Sequence, residues 1–445
     1  MYEPQQLARM DLEHILHPMH NRTHNQNGPV VLVKGKGALV TDATGKEYID
    51  AFAGLWNINV GYGRAELAEA AAAQMRDLGF SSGYAGTSNI PGILLAERLA
   101  KMAPGDLKAT FFTTGGAESN EAAFKIARFY WKMVGRPDKV KVIGRQKGYH
   151  GLTAGAMSAT GMRTFWRYFD PIQAGFYHIP IHYCFRCPFH KSYPECGVVC
   201  ADALEQQILA EDPETVAAFI AEPVAGTGGV LVPPPEYFPK IREICDRYDV
   251  LFIADEVITG FGRTGKMFGL ENWGVVPDMM SFAKGITSGY QPLGGVMMRE
   301  KIFRIFQELP GDVIFSHGYT YSQHPVCCAV ALRNLDIIEQ EGLVENAKAM
   351  GERLAAGLKK LETLPLVGDV RTMGLMAGIE LAGDKQGAPC PPGAIAKVQQ
   401  YTESHGLIHR TRDDSIMLAP PLVITENQID TIVNILGEAI VAAGK

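Results

Sequence analysis

Short apolar runs bounded by turns recur through the middle of the chain, at residues 216–221, 250–254, 279–283 and 294–298, after two further strand-like segments at 108–113 and 139–143. Runs this short and unbroken predict strands buried on both faces. Between 108–113 and 139–143, Ala117 to Val134 repeats apolar positions at helical spacing behind the break Gly115-Gly116. Strand, glycine turn and helix in succession predict an α/β layer, with helices sandwiching a mostly parallel sheet. Ligands of such sheets bind beyond the strand C-termini. Upstream, 30–33, 38–41 and 47–50 read as short strands, the last two joined by the turn Asp42-Ala43-Thr44-Gly45, and 64–79 reads as an amphipathic helix. The first ~30 residues, polar and His-rich, read as an arm lying on another surface. Downstream, 325–341 and 343–361 read as helices and 370–381 as a Gly-rich strand-like stretch. A Pro-rich loop at 389–392, a helix before Gly406 and a closing helix from Glu426 follow. This predicts a large domain over 61–325 and a smaller α/β domain over 326–445, with the segment 1–60 packing on the latter.

Composition narrows the class. The 445 residues are 47 % hydrophobic and 20 % charged, ordinary for a globular chain, and a net charge of −6 argues against a general nucleic-acid binder. The most apolar long stretch, 215–235, is broken by Glu222, glycines and prolines, so no membrane span is expected. The N-terminus lacks the basic and apolar regions of a signal peptide, and a cytoplasmic protein is expected. The 48 glycines fit tight turns and close backbone approach to a ligand.

Candidate chemistry gathers at the strand ends. Asp255 ends one apolar run and Lys284 another, Thr113 to Asn120 joins a strand to a helix through Gly115-Gly116, and Tyr149-His150-Gly151 follows a third strand. Each has an ordinary explanation alone: a helix cap, a solvated loop charge, a tight connection, a core tyrosine. Together they supply a buried amine able to form a Schiff base, a carboxylate for a pyridine nitrogen, a phosphate cradle and a stacking aromatic. Those are the requirements of pyridoxal 5'-phosphate.

The motifs Phe111 to Glu121, Tyr149-His150-Gly151, Ala221-Glu222-Pro223-Val224, Asp255 to Gly265, Ala283 to Gly295 and His317 to Ser322 resemble those of the class III pyridoxal-phosphate aminotransferases, the ω-aminotransferases of fold type I. The resemblance runs from about Gly28 to the C-terminal helix. It implies that Lys284 holds the cofactor as a Schiff base and that Asp255 pairs with the pyridine nitrogen. It implies a ring bracketed by Tyr149 and Val257, with His150 and Glu222 close to it, and a phosphate cradled by Gly115, Gly116 and Ala117. Thr320 of a neighbouring subunit would complete the cradle, making a homodimer, or a dimer of dimers, with active sites at the subunit interface. The family often has Ser-Gly-Ser in the phosphate loop where this chain has Gly115-Gly116-Ala117, which implies weaker cofactor retention.

By the same resemblance Trp56, Tyr84, Leu152 and Thr227 line the substrate pocket, and Arg410 is a mobile arginine that pairs with a substrate carboxylate. Arg412 competes for that role. Subfamilies using 2-oxoglutarate tend to carry Glu where Thr227 stands, so pyruvate is the expected acceptor. The expected donor is a primary amine or ω-amino acid, and the reaction ping-pong. The alternatives are a 2-oxoglutarate-dependent aminotransferase, another fold type I enzyme such as an aminomutase, racemase or decarboxylase, or a metal-bearing binding protein with a vestigial cofactor site. The insert 182–201 carries Cys184, Cys187, Cys196 and Cys200, spaced as C-x2-C and C-x3-C. A metal site, disulfides and reduced thiols are all open readings, each as a loop staple.

Overall fold

The computed structural model describes residues 3–19, 21, 29–84 and 86–445. Of the proposed N-terminal arm over the first ~30 residues, 1–2, 20 and 22–28 lie outside these; within it Pro4–His14 forms a helix with no buried side chain.

A seven-stranded sheet forms the centre. Its order is Leu107–Thr113, Gly294–Arg299, Met279–Phe282, Leu251–Asp255, Val216–Ala221, Lys141–Arg145 and Phe176–Ile179. All neighbours pair in parallel except Gly294–Arg299, which is antiparallel to both strands beside it. Every residue of Val216–Ala221, Leu251–Asp255 and Met279–Phe282 is buried, as their unbroken apolar runs predict. Phe219, Phe252 and Phe282 are fully buried, each stabilising the fold by about 1.5–3 kcal/mol. Gly116–Met133 covers one face with Ala122, Ala123, Phe124, Ile126 and Ala127.

Two four-stranded sheets lie outside this layer. One joins Leu32–Lys36, Leu39–Asp42 and Glu47–Asp50 to Leu407–Ile408, so the N-terminal strands hydrogen-bond to the C-terminal part of the chain. The other runs Val367–Met373, Met376–Leu381, Ser415–Leu418, Arg410–Arg412. The stretch read as one strand over 370–381 is a hairpin, because Gly374 takes the left-handed conformation (φ +54°) that a tight reversal needs. No helix among the described residues is long and apolar enough to cross a membrane.

Candidate active site

The C-terminal ends of the parallel strands open into a cavity of about 410 Å³. Asp255 is the last residue of its strand and 3 % exposed. Its Oδ2 accepts from Asn120 Nδ2 at 2.8 Å and lies 2.7 Å from His150 Nδ1. Oδ1 takes only the Val257 amide, at 3.2 Å, and is the oxygen left for the cavity. The next residue, Glu256, points to the opposite side, as strand periodicity requires. It is saturated by Thr259 Oγ1 and the amides of Gly269 and Leu270, so of two adjacent buried carboxylates only one serves the cavity.

Lys284 follows the neighbouring strand Met279–Phe282 and begins a short 3₁₀ turn, Lys284–Ile286. Its φ of +48° is left-handed, a conformation that costs a non-glycine residue about 1–2 kcal/mol and that the turn imposes. The side chain lines the cavity, and Nζ has no hydrogen-bond partner among the described residues. Burial pushes the amine down to about 8, with Asp255 and Glu222 opposing the shift. Glu222 accepts from the amides of Tyr149 and Gly226, both at 3.0 Å, and burial pushes its carboxyl up.

The helix Gly116–Met133 points its N-terminus at the same cavity. Among the described residues the amides of Gly116 and Ala117 carry no partner, while Glu118 folds back onto the amide and hydroxyl of Thr114. A Cβ on Gly116 would stand 2.7 Å from Val257 Cγ1, so glycine is what lets the loop close over that side chain. Free amides at a helix start form an anion site. With Tyr149 and Val257 on the walls, an unpartnered amine and a carboxylate oriented from behind, these residues fit pyridoxal phosphate.

Of the residues expected around substrate, Trp56, Leu152, Thr227 and Arg410 line this cavity, as do Tyr149, His150, Glu222, Val257, Gly116 and Ala117. Gly115 caps the helix directly beside it. Tyr84 does not line it: it is 65 % exposed, and a Cβ on Gly318 would stand 2.6 Å from its hydroxyl. Thr320 is exposed on the same segment as Gly318 and is also absent from the cavity wall. Tyr84 thus sits against Gly318, two residues before Thr320, and both side chains are exposed. The two arginines also separate. Arg412 is half-buried, with Nη2 2.9 Å from Thr164 Oγ1 and its guanidinium 4.7 Å from the Phe165 ring centre. Arg410 is exposed and, among the described residues, makes no ion pair or side-chain hydrogen bond.

Asn120, which the sequence marks only as part of the glycine-turn motif, and Phe165, which it does not mark, also line the cavity. Asn120 bridges Asp255, the His150 carbonyl and Ser281 Oγ. A polar residue on the apolar face of a buried helix is the signal that marks it. Phe165 packs against Tyr149 with ring centres 5.4 Å apart.

All four cysteines of the insert are free thiols, Cys184 exposed and Cys200 buried, and no group of three or more Cys, His, Asp or Glu among the described residues is arranged to hold a metal. The loop is fastened instead by polar contacts: Tyr183 and Arg186 both bond the buried Glu380, which also pairs with Arg371 at 2.9 Å.

The class III aminotransferase family model matches residues 20–440. The chain is 42 % identical to a putrescine–pyruvate aminotransferase of Pseudomonas aeruginosa, covering 92 % of this chain and 90 % of that one. It is 40 % identical to a diaminobutyrate–2-oxoglutarate transaminase of Halomonas elongata, covering 91 % and 88 %. Among solved structures, a thermostable (S)-enantioselective omega-transaminase from Thermomicrobium roseum superposes with a TM-score of 0.97 at 46 % identity, over 100 % of both chains.

Proposed function

The chain belongs to the class III aminotransferases, a pyridoxal-phosphate-dependent family, and we propose that it moves the amino group of a primary amine or ω-amino acid to pyruvate, releasing alanine, in two half-reactions at Lys284. The observation that carries the acceptor assignment is Arg410, exposed at the cavity with no carboxylate paired to it among the described residues and with Thr227 rather than an acid on the same lining. A guanidinium left in that state offers two parallel donors to a substrate carboxylate.

When bound, pyridoxal phosphate supplies an aldehyde carbon that takes the amine nitrogen and a ring that accepts the electron pair released at the substrate carbon. Lys284 Nζ would hold the cofactor and, once released, would serve as the base that takes and returns a proton at the substrate carbon. An amine brought down to about 8 is neutral in a useful fraction near neutral pH, as a base must be. Asp255 would supply the carboxylate that favours a protonated ring nitrogen. His150 and Asn120 act through Asp255 by fixing its other oxygen. The amides of Gly116 and Ala117, next to Gly115, would hold the phosphate, and Tyr149, Val257 and Glu222 would line the ring's place. Trp56 and Leu152 shape the amine side of the cavity.

In a homodimer the partner subunit's Thr320 and the partner subunit's Tyr84 complete the cradle and the substrate wall, which accounts for the exposure of both side chains. The division into a large domain, 61–325, and a smaller one built from 326–445 with the N-terminal segment belongs to the same reading, as does a cytoplasmic location.

A second reading takes 2-oxoglutarate as acceptor, favoured by similarity to the diaminobutyrate–2-oxoglutarate transaminase. One spectroscopic experiment separates them. The yellow absorption of the purified protein is followed on adding β-alanine, putrescine, 4-aminobutyrate or 1-phenylethylamine, then each keto acid. Bleaching by a donor and recovery with pyruvate supports the first reading; recovery with 2-oxoglutarate alone supports the second. No bleaching by any donor removes the aminotransferase reading for these amines and points to an aminomutase, racemase or decarboxylase.

A further inference from the structure

A second cavity, of about 730 Å³, adjoins the first through a shared lining residue. The wall between them is thin. Thr227 lines the reaction cavity and Gly228 the second; Phe165 lines the first and Thr164 the second; Thr411 lines the first and Asp413 the second. Arg412 lines both. It is held in that wall only by the Thr164 hydroxyl and the face of Phe165, with no carboxylate paired to it among the described residues. A guanidinium so held can leave without abandoning a buried counter-ion.

The chemistry of the second cavity is specific. Lys147, Arg163 and Arg412 face it against one carboxylate, Asp413, which stands 3.8 Å from Lys147 Nζ. Arg163 is exposed and makes no ion pair among the described residues. Trp166, Phe176 and Tyr177 add aromatic surface to the same lining. Such a site takes a ligand with an apolar body and an anionic end.

We propose that the second cavity is a subsite for the far end of a long amine donor, an apolar chain ending in a carboxylate, admitted when Arg412 leaves Phe165. This rests on the aminotransferase reading, which puts the amine end of the donor at Lys284. The aromatic walls hold the chain, and Arg163 and Lys147 hold the carboxylate. Short donors never reach the second cavity and do not sense its charge.

The test compares kcat/KM for terminal amino carboxylates of increasing length, from β-alanine to 12-aminododecanoate, with alkylamines of matched length, in the native holoenzyme and Arg163→Glu. Long carboxylated donors are expected to outperform their alkylamine counterparts by roughly fivefold, the scale of one exposed ion pair, with that advantage lost in Arg163→Glu and short donors unchanged. The same advantage in Arg163→Glu, or none at any length in the native enzyme, overturns the proposal. Binding of unreactive decanedioate, read by tryptophan fluorescence, keeps the test independent of turnover. Binding about fivefold weaker in Arg163→Glu supports the subsite, and equal or absent binding overturns it. Failure of short donors in the native enzyme would instead remove the aminotransferase reading itself.

Discussion

Two lysines of this chain are withdrawn from solvent, and burial pushes both down to about 8, yet they are built in opposite ways. Lys139 is fully buried, and Nζ donates to the carbonyls of Pro213, Val216, Tyr248 and Asp249 at 2.9, 3.1, 3.2 and 2.9 Å. It joins three chain segments and has no donor to spare. Lys284 lines a cavity, on strained backbone, and among the described residues Nζ has no hydrogen-bond partner. A lowered pKa does not separate a structural lysine from a reactive one; unused hydrogen-bonding capacity does. The carboxylates divide the same way. Glu380 is saturated by Tyr183, Arg186 and Arg371, whereas Asp255 keeps an oxygen for the cavity.

Exchanging the two lysines' fates is the strongest way to break this contrast. Lys284→Ala is expected to lower transamination by roughly 10³-fold or more, while thermal unfolding stays close to that of the native protein. Lys139→Ala is expected to do the reverse. Its orphaned carbonyls cost about 3 kcal/mol or more, read by denaturant unfolding, while turnover per folded molecule is kept. A Lys139 variant that folds normally but is inactive would dissolve the distinction.

The carboxylates give the next effects. Asp255→Asn is expected to reduce turnover by roughly 10²-fold with little change in stability, because the amide loses the charge facing the cavity. Glu380→Gln should instead cost about 3 kcal/mol of stability and leave turnover in place. Burial raises Glu380, but the bonds from Tyr183, Arg186 and Arg371 outweigh it and hold the carboxyl below its ordinary value. A carboxyl depressed in the folded state stabilises fully above its unfolded value of about 4.3 and loses that contribution as pH falls through the folded value. Acid unfolding curves of the native protein and Glu380→Gln should therefore be far apart at neutral pH and converge at the acid end.

The smallest effect sharpens the assignment of the arginines. Arg410→Ala is expected to raise the KM for pyruvate about tenfold and leave an uncharged amine donor unaffected, as loss of a charge-assisted hydrogen bond predicts. Arg412→Ala should change pyruvate kinetics less, since its guanidinium is already engaged with Thr164 and Phe165. Steady-state kinetics on both variants decide between them.

The parts of the fold legible in the sequence were those with one dominant force. Strands buried on both faces announce themselves as unbroken apolar runs, and 216–221 falls on the observed strand without adjustment. The helix Ile90–Met102 was invisible, because its first turn carries Pro91 and Gly92 and exposes Ile90, Ile93 and Leu94, which blurs the apolar stripe. At the site, residues at strand ends were legible because topology alone brings strand ends together. Asn120 was not, since its meaning depends on a partner 135 positions away. Tyr84 and Thr320 face outward, and nothing in the local pattern distinguishes them from ordinary surface.

The contrast between the two lysines reduces to one measurement. The purified holoprotein is treated with borohydride to fix any carbon–nitrogen double bond to pyridoxal phosphate, digested, and the modified lysine located by mass spectrometry. The prediction is a reduced pyridoxyl group on Lys284 and an unmodified Lys139. A label on any other lysine, or an unlabelled Lys284 in protein that carries the cofactor, would contradict it.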